Sequence, residues 1–226
     1  MKKSLALILA AAMLMTGTVG CGDKAESSES HGSAVAEEVP ENVNKKLTDA
    51  INMQAVAVPE GGWTDEALLD VIYVNGEKLN IPFTLCELGE GFDIDTSGEN
   101  FIQRDGKTTA ALKYYGMICG LVFTQADATA DDFASQNLSG ITFYKSEKDS
   151  ESYPEIYPIS VNGVTIGTKY DDMVARLGFT VSESSEDPNT SEKSFTVTGM
   201  TDSYYVRIIG RKSVIDHITI TPKNEG

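Results

Sequence analysis

The chain has 226 residues, with 34 Asp+Glu against 18 Lys+Arg and a formal net charge of −16. That balance argues against nucleic acid and against electrostatic docking on anionic lipid, since both need a basic footprint. An apolar fraction of 41% is enough for a packed core, while 2 His and 3 Cys leave little for zinc or triad chemistry.

Lys2 and Lys3 open the chain, an apolar run follows from Leu5 to Met15, and Thr16-Gly17-Thr18-Val19-Gly20-Cys21 closes it. This is the order of a secretory signal peptide over residues 1–20. The apolar run is about 11 residues, and a permanent membrane span takes ~20. Cys21 after Gly20 resembles a bacterial lipobox, whose usual form is Leu, a small residue, Gly or Ala, then Cys. Thr18 stands where Leu is usual. The resemblance implies cleavage before Cys21 and a diacylglyceryl thioether on its sulfur, with acyl chains such as palmitate. It implies a lipoprotein of the cell envelope, held by lipid on the extracytoplasmic face of the cell membrane. Loss of Lys2 and Lys3 takes the charge from −16 to −18.

Gly22 to about Lys46 is rich in Ser, Glu, Ala and Gly, and has no aromatic residue. Such a segment buries too little apolar area to offset chain entropy, so residues 21–46 read as a lipidated Cys followed by a disordered acidic tether. At ~25 residues the tether spans roughly 25–30 Å. The stretch Leu47 to Val58 is ambiguous. Leu47, Ile51 and Gln54-Ala55 suit a short helix, and Val56 and Val58 suit the approach to a strand. Pro59-Glu60-Gly61-Gly62 is a turn by composition. Thr64 suits the cap of a brief helical turn at Trp63-Thr64-Asp65-Glu66.

Two later stretches share an order of signals. Val71-Ile72-Tyr73-Val74-Asn75-Gly76-Glu77-Lys78-Leu79-Asn80-Ile81 matches Ile156-Tyr157-Pro158-Ile159-Ser160-Val161-Asn162-Gly163-Val164-Thr165-Ile166. Each is an apolar run, an Asn-Gly pair and another alternating run. Asn-Gly tolerates positive φ at both central turn positions, which predicts a tight hairpin. A Thr then suits a helix cap, Thr84 before Leu88-Gly89 and Thr168 before Leu177-Gly178. Strand-like segments follow at Thr108–Tyr115, Met117–Phe123 and Leu138–Tyr144. Their counterparts are Ser194–Thr198, Tyr204–Ile209 and Val214–Thr221. The segment Thr124 to Asn137 is an acidic insertion in the first copy. The prediction is an α+β protein of two β-β-α-β-β-β repeats, at 47–150 and 151–226, each with a short helix on one face of an antiparallel sheet.

This layout resembles the tandem repeat of secreted β-lactamase inhibitor proteins and related small envelope lipoproteins. The best-matching stretch runs from Val161 through Thr168 and from Val174-Ala175-Arg176 to Leu177-Gly178. The resemblance implies two copies side by side and binding to protein rather than catalysis. No inhibitory loop residue is matched.

Cys86 and Cys119 remain once Cys21 is lipidated, and outside the membrane an even pair suits a disulfide. A loop of ~33 residues so closed would stabilise by roughly 3–4 kcal/mol. Two buried free thiols are the alternative. Asp93-Ile94-Asp95-Thr96-Ser97-Gly98 resembles half of a calcium loop. Asn100 and Arg104 then break the pattern, so turn chemistry is the better reading. His217 falls on the polar face of its strand with Thr219 and Thr221, opposite Ile218 and Ile220, and no nucleophile motif accompanies it. The pairs Tyr114-Tyr115 and Tyr204-Tyr205 each offer one exposed ring if strand alternation holds, against ordinary core packing.

These readings combine into a lipid-anchored, non-catalytic interaction protein with no metal or cofactor. Its partner is an envelope protein, with no nucleic acid involved. A small-ligand module for peptide, glycan or cation is the alternative. The folded part carries −15, which favours basic or cationic partners.

Overall fold

The computed structural model describes residues 40–52, 55–145, 154 and 156–223. The expected signal peptide, Cys21 and residues 22–39 of the expected tether lie outside them. Residues 41–46, also expected as tether, are instead helical. Helix α1 (Glu41–Ile51) starts after Pro40. Val43 and Leu47, one helical turn apart, are 8% and 2% exposed. That short apolar stripe is enough because it packs on strand β8 (Ile159–Val161), which supplies the burial that local composition does not. Among the described residues no helix is long and apolar enough to cross a membrane.

Helix α2 (Asp65–Leu69) starts where Thr64 Oγ1 accepts the Ala67 N–H at 3.2 Å. Strands β1 (Ile72–Val74) and β2 (Glu77–Lys78) form the first hairpin across Asn75-Gly76, at φ 54° and 79°. On its other edge β1 pairs antiparallel with β8, in the register Ile72↔Val161, Tyr73↔Ser160 and Val74↔Ile159. Asn162-Gly163 follows β8 with φ 50° and 75°. Its return strand shrinks to a single bridge, Val161↔Val164.

The helix expected after Thr84 is one 3-10 turn, Leu85–Leu88. The Thr84 N–H donates to Glu87 Oε2 at 2.6 Å, and Leu85 and Leu88 point inward. Strands β3 (Phe92–Asp95) and β4 (Phe101–Arg104) follow, and both pair with β5 (Lys107–Tyr114). Then come β6 (Met117–Thr124), helix α3 (Ala130–Phe133) in the insertion, and β7 (Gly140–Tyr144). The second helix, α4 (Tyr170–Leu177), begins after Lys169 rather than Thr168. Thr168 Oγ1 is taken by the Thr165 N–H at 2.9 Å, in the turn before it. Gly178 ends α4 at φ 59°. Strands β9 (Thr180–Glu186), β10 (Lys193–Met200), β11 (Tyr204–Arg211) and β12 (Val214–Pro222) complete the chain.

The architecture is α+β, mostly antiparallel sheet with a few short helices. A three-stranded sheet has the order β2-β1-β8. A nine-stranded sheet has the order β3-β5-β6-β7-β12-β11-β10-β9, with β4 also on β5. The join is β7 against β12, so one sheet runs across both expected halves. Only one of its faces enters the core, through residues such as Leu112, Val122, Phe143, Ile218, Ile208 and Val197, all fully buried.

The two Asn-Gly turns do more than supply positive φ. Asn162 Nδ2 donates to Arg176 O at 2.7 Å and to Val56 O at 3.0 Å, and its Oδ1 accepts the Val56 N–H at 2.9 Å. Asn75 Nδ2 donates to Glu90 O at 3.1 Å, and its Oδ1 accepts from Tyr114 Oη at 2.9 Å. Each Asn thus ties its hairpin to the end of the helical turn that follows. Asn162 is buried, so its loss strands three backbone groups. Asn162→Ala should lower unfolding free energy by about 2–4 kcal/mol, and Asn75→Ala by about 1–2 kcal/mol, in urea melts followed by circular dichroism.

Candidate functional site

The other face of the nine-stranded sheet is the candidate site. Antiparallel pairing sorts its side chains into cross-strand rows. One row runs from Ile102 through Thr109 and Phe123 to Gly140. On the far side of the join Thr221, Tyr205 and Met200 are likewise paired in line. A second row is Ala111, Leu121, Thr142, Thr219, Arg207 and Thr198. A third is Tyr144, His217, Ile209, Thr196 and Glu183.

None of the apolar members of these rows joins the core cluster. Ile102 and Met200, at opposite ends of the face, are 54% and 62% exposed. Leu121, Phe123, Tyr144, Tyr205 and Ile209 are half-buried, shielded by neighbours in their own sheet. A Cβ on Gly140 would stand 2.0 Å from the Phe123 ring, so the glycine lets that ring lie across the strand. At the join the hydroxyls of Thr142 and Thr219 are 3.1 Å apart. A shallow cavity of about 310 Å³ opens between β9, β10 and β11, lined by Glu183, Ser185, Ser194, Thr196, Ile209 and Arg211 among others.

Asp216 organises the polar end of this face. It sits at an irregularity in the β11–β12 register, between the pairs Ile209↔His217 and Gly210↔Ile215. Its Oδ1 lies 2.6 Å from His217 Nδ1 and its Oδ2 accepts from Arg211 Nε at 2.5 Å. The His217 ring stacks on Tyr144, with centroids 5.8 Å apart. The expected alternation of β12 is seen, with Ile218 and Ile220 in the core and His217 on the open face. Burial pushes the Asp216 carboxyl up, and the hydrogen bonds from His217 and Arg211 outweigh it, leaving the pKa below the ordinary carboxylate value.

Strand alternation sends the two rings of one tyrosine pair to opposite faces and fails for the other pair. Tyr204 and Tyr205 are both half-buried, Tyr205 on the open face and Tyr204 on the core side, with its Oη donating to Ile81 O at 3.2 Å. Tyr114 and Tyr115 are 0% and 9% exposed, so neither offers a binding surface. Strand alternation fails at Tyr115 because it stands in the hairpin turn at φ 48°. There its ring folds back against Tyr114, centroids 4.9 Å apart, and over Gly91.

The expected Cys86–Cys119 disulfide is not formed. Cys119 is a free, fully buried thiol, and burial pushes its pKa up. Cys86 is exposed on the outer side of the 3-10 turn, because Leu85 and Leu88 take the inner side. Cys21 lies outside the described residues.

The half-calcium loop has its own internal partners. Asp95 Oδ1 accepts from Ser97 N at 3.0 Å, and its Oδ2 accepts from Asn100 Nδ2 at 3.2 Å and pairs with Lys113 at 3.0 Å. The Ser97 hydroxyl and backbone N–H, with Lys113, hold the carboxyl down at about 2. No group of three or more metal-binding side chains gathers among the described residues.

The acidity of the chain is not concentrated on the open face, which carries Lys113, Arg207 and Arg211 alongside its acids. Arg207 is exposed and makes no ion pair among the described residues. Neither a known protein family, a curated protein nor a solved structure matches this chain. The resemblance to β-lactamase inhibitor proteins therefore rests on the sequence motifs alone.

A carboxylate whose folded pKa is depressed contributes stability above its unfolded pKa and loses it as pH falls through the folded one. Asp216→Asn should destabilise by about 1–3 kcal/mol at pH 7. The deficit against wild type should shrink below pH 4, as measured by urea melts across that range.

Proposed function

We propose that this protein is a lipid-anchored, extracytoplasmic, non-catalytic binding protein that docks an envelope protein on the open face of its nine-stranded sheet. The observation that carries the reading is that face itself. It is a continuous surface across eight strands, with Leu121, Phe123, Ile209, Tyr205 and Met200 interleaved with Thr and Arg. Aromatic and Arg anchors among small hydroxyl residues are the composition of a protein interface. An apolar surface of this extent on a soluble body calls for a partner.

The two-repeat reading underlies the shape of the face. It is supported by two pairings whose registers exchange matching residues. In the sequence alignment of the halves Ile72, Tyr73 and Val74 match Ile159, Ser160 and Val161, and β1 pairs with β8 with Tyr73 opposite Ser160. Ile141, Thr142 and Phe143 match Ile218, Thr219 and Ile220, and β7 pairs with β12 with Thr142 opposite Thr219. Both registers suit a pseudo-twofold axis between two copies of one unit. After the helical turn the first half has five strands, with β3 and β4 sharing one edge of β5, and the second has four. A glycan or peptide held in the cavity beside Arg211 is the second reading, supported by its Ser- and Glu-rich lining.

Two measurements test the proposal. A clickable fatty acid fed to cells should label the wild-type chain and not Cys21→Ser. No label on the wild-type chain overturns the anchor. Photo-cross-linking residues at Tyr205 and Thr219 should capture the same protein in intact cells, while one at the exposed Val56 should not. Equal capture at all three positions, or none, overturns the docking face.

A further inference from the structure

A second cavity, of about 350 Å³, lies where α4 begins, away from the open face. Its lining is Lys169, Tyr170, Asp171, Ser191, Lys193, Lys212, Ser213 and Val214. Three ammonium groups against one carboxylate give it a net charge of +2, in a chain whose folded part carries −15. None of the three lysines makes an ion pair among the described residues. Lys193 Nζ instead lies over the Tyr170 ring, 4.8 Å from its centroid.

The three lysines line one cavity, where like charges repel. Lys169 occupies the N-cap of α4, where a cation opposes the helix dipole and where it makes no side-chain capping bond. The walls are locked by backbone bonds. Tyr170 N donates to Ser213 O at 3.0 Å, Ser213 N to Lys193 O at 2.8 Å, and Lys193 N to Ser213 Oγ at 2.9 Å. Ser191, Lys212 and Ser213 have φ of 57°, 52° and 62°. Apart from Asn, Asp and Gly, the only other positive-φ residue among the described residues is Tyr115. Backbone cost thus gathers at this cavity, as it does at ligand sites.

The other half of the fold shows what a non-binding version looks like. The bridge Lys169↔Val214 stands just before a helical turn and at the start of a closing strand, as does the bridge Phe83↔Leu138. There Phe83 and Leu138 are buried at 1% and 0%, and Phe133 of α3 is buried with them. Apolar side chains fill the first location, and lysines surround an open cavity at the second.

We propose that this cavity binds a phosphate group. A tetrahedral dianion matches the net +2 and accepts from several donors at once. The lysine ammoniums, the Ser191 hydroxyl and the Tyr170 hydroxyl supply them.

The test uses the purified protein, with chloride holding ionic strength constant. Added inorganic phosphate should shift the amide resonances of Tyr170, Asp171, Lys193 and Ser213 to saturation. The double variant Lys169→Gln/Lys212→Gln should raise the dissociation constant at least tenfold. The exposed control pair Lys107→Gln/Lys223→Gln should leave it unchanged. Glycerol 3-phosphate binding as tightly marks a monoester as the ligand. Preference for glycerophosphoglycerol marks a diester, as in a lipid headgroup or polymer. Shifts that do not saturate, that chloride reproduces, or that persist in the double variant overturn the proposal. The two lysines replaced are exposed, and circular dichroism confirms that the variant is folded before titration.

Discussion

The fold depends on four residue pairs between β7 and β12. The first strand has β6 on its other edge and the second has β11, so this one pairing makes a single sheet out of a five-stranded piece, β3 to β7, and a four-stranded piece, β9 to β12. Each piece alone would be poorly covered. The first has a four-residue 3-10 turn and the second an eight-residue helix. Joining them places Ile141, Phe143, Ile218 and Ile220 side by side, all fully buried. Each contributes about 1.5–3 kcal/mol by leaving water. The three-stranded sheet repeats the device, since β1 and β8 also join the two halves and bury Ile72, Val74, Ile159 and Val161. Two antiparallel seams therefore hold what short helices cannot.

The same economy leaves one sheet face bare. Among the described residues the four helices, the 3-10 turn at Leu85–Leu88 and the small sheet are spent on the core side, and the core cluster draws on no side chain of the other face. A bare antiparallel face is stable when its residues shield one another across strands. Thr142 beside Thr219 and Tyr144 beside His217 do this here. The edge of the sheet is handled differently. Strand β9 reads TVSESSE and is almost wholly exposed, so its free edge offers charge and hydroxyls rather than an apolar template for another chain.

Much of this is legible in the sequence, and the failures have physical causes. The two Asn-Gly turns, the Leu-Gly stop of α4 and strands β5, β6, β7, β10, β11 and β12 follow from local chemistry. Alternating Val, Ile, Phe and Thr between turn residues needs no distant help. Strands β3, β4 and β9 escape notice because their residues are polar or short of β-branched types, and pairing with β5 or β10 makes them strands. Helix α1 escapes because Val43 and Leu47 lie in an acidic stretch that β8 happens to cover. Tyr115 misleads because alternation predicts a face only while the chain stays extended. Cys119 misleads because spacing and compartment say nothing of which way a thiol points. The open face is legible in part. His217, Thr219 and Tyr205 fall on it by alternation, whereas Arg207, Phe123 and Ile209 emerge only with the register.

Net charge is the property that structure reinterprets most. A total of −15 in the folded part suggests a uniformly acidic surface and a basic partner. The acids instead spread over turns, edges and helix starts, where Asp65 binds the Ser203 N–H at 2.9 Å and Asp132 accepts from the Thr129 hydroxyl at 2.8 Å. Those carboxylates satisfy backbone and hydroxyl donors and set local geometry. The few cations are the minority species and their placement carries more information. Arg207, on the open face, makes no ion pair among the described residues, nor do Lys169, Lys193 and Lys212, which surround one cavity. In an acidic protein a cation without an ion-pair partner gives up available attraction. Positions where that sacrifice is made repeatedly are where external anions or partners have the most to gain.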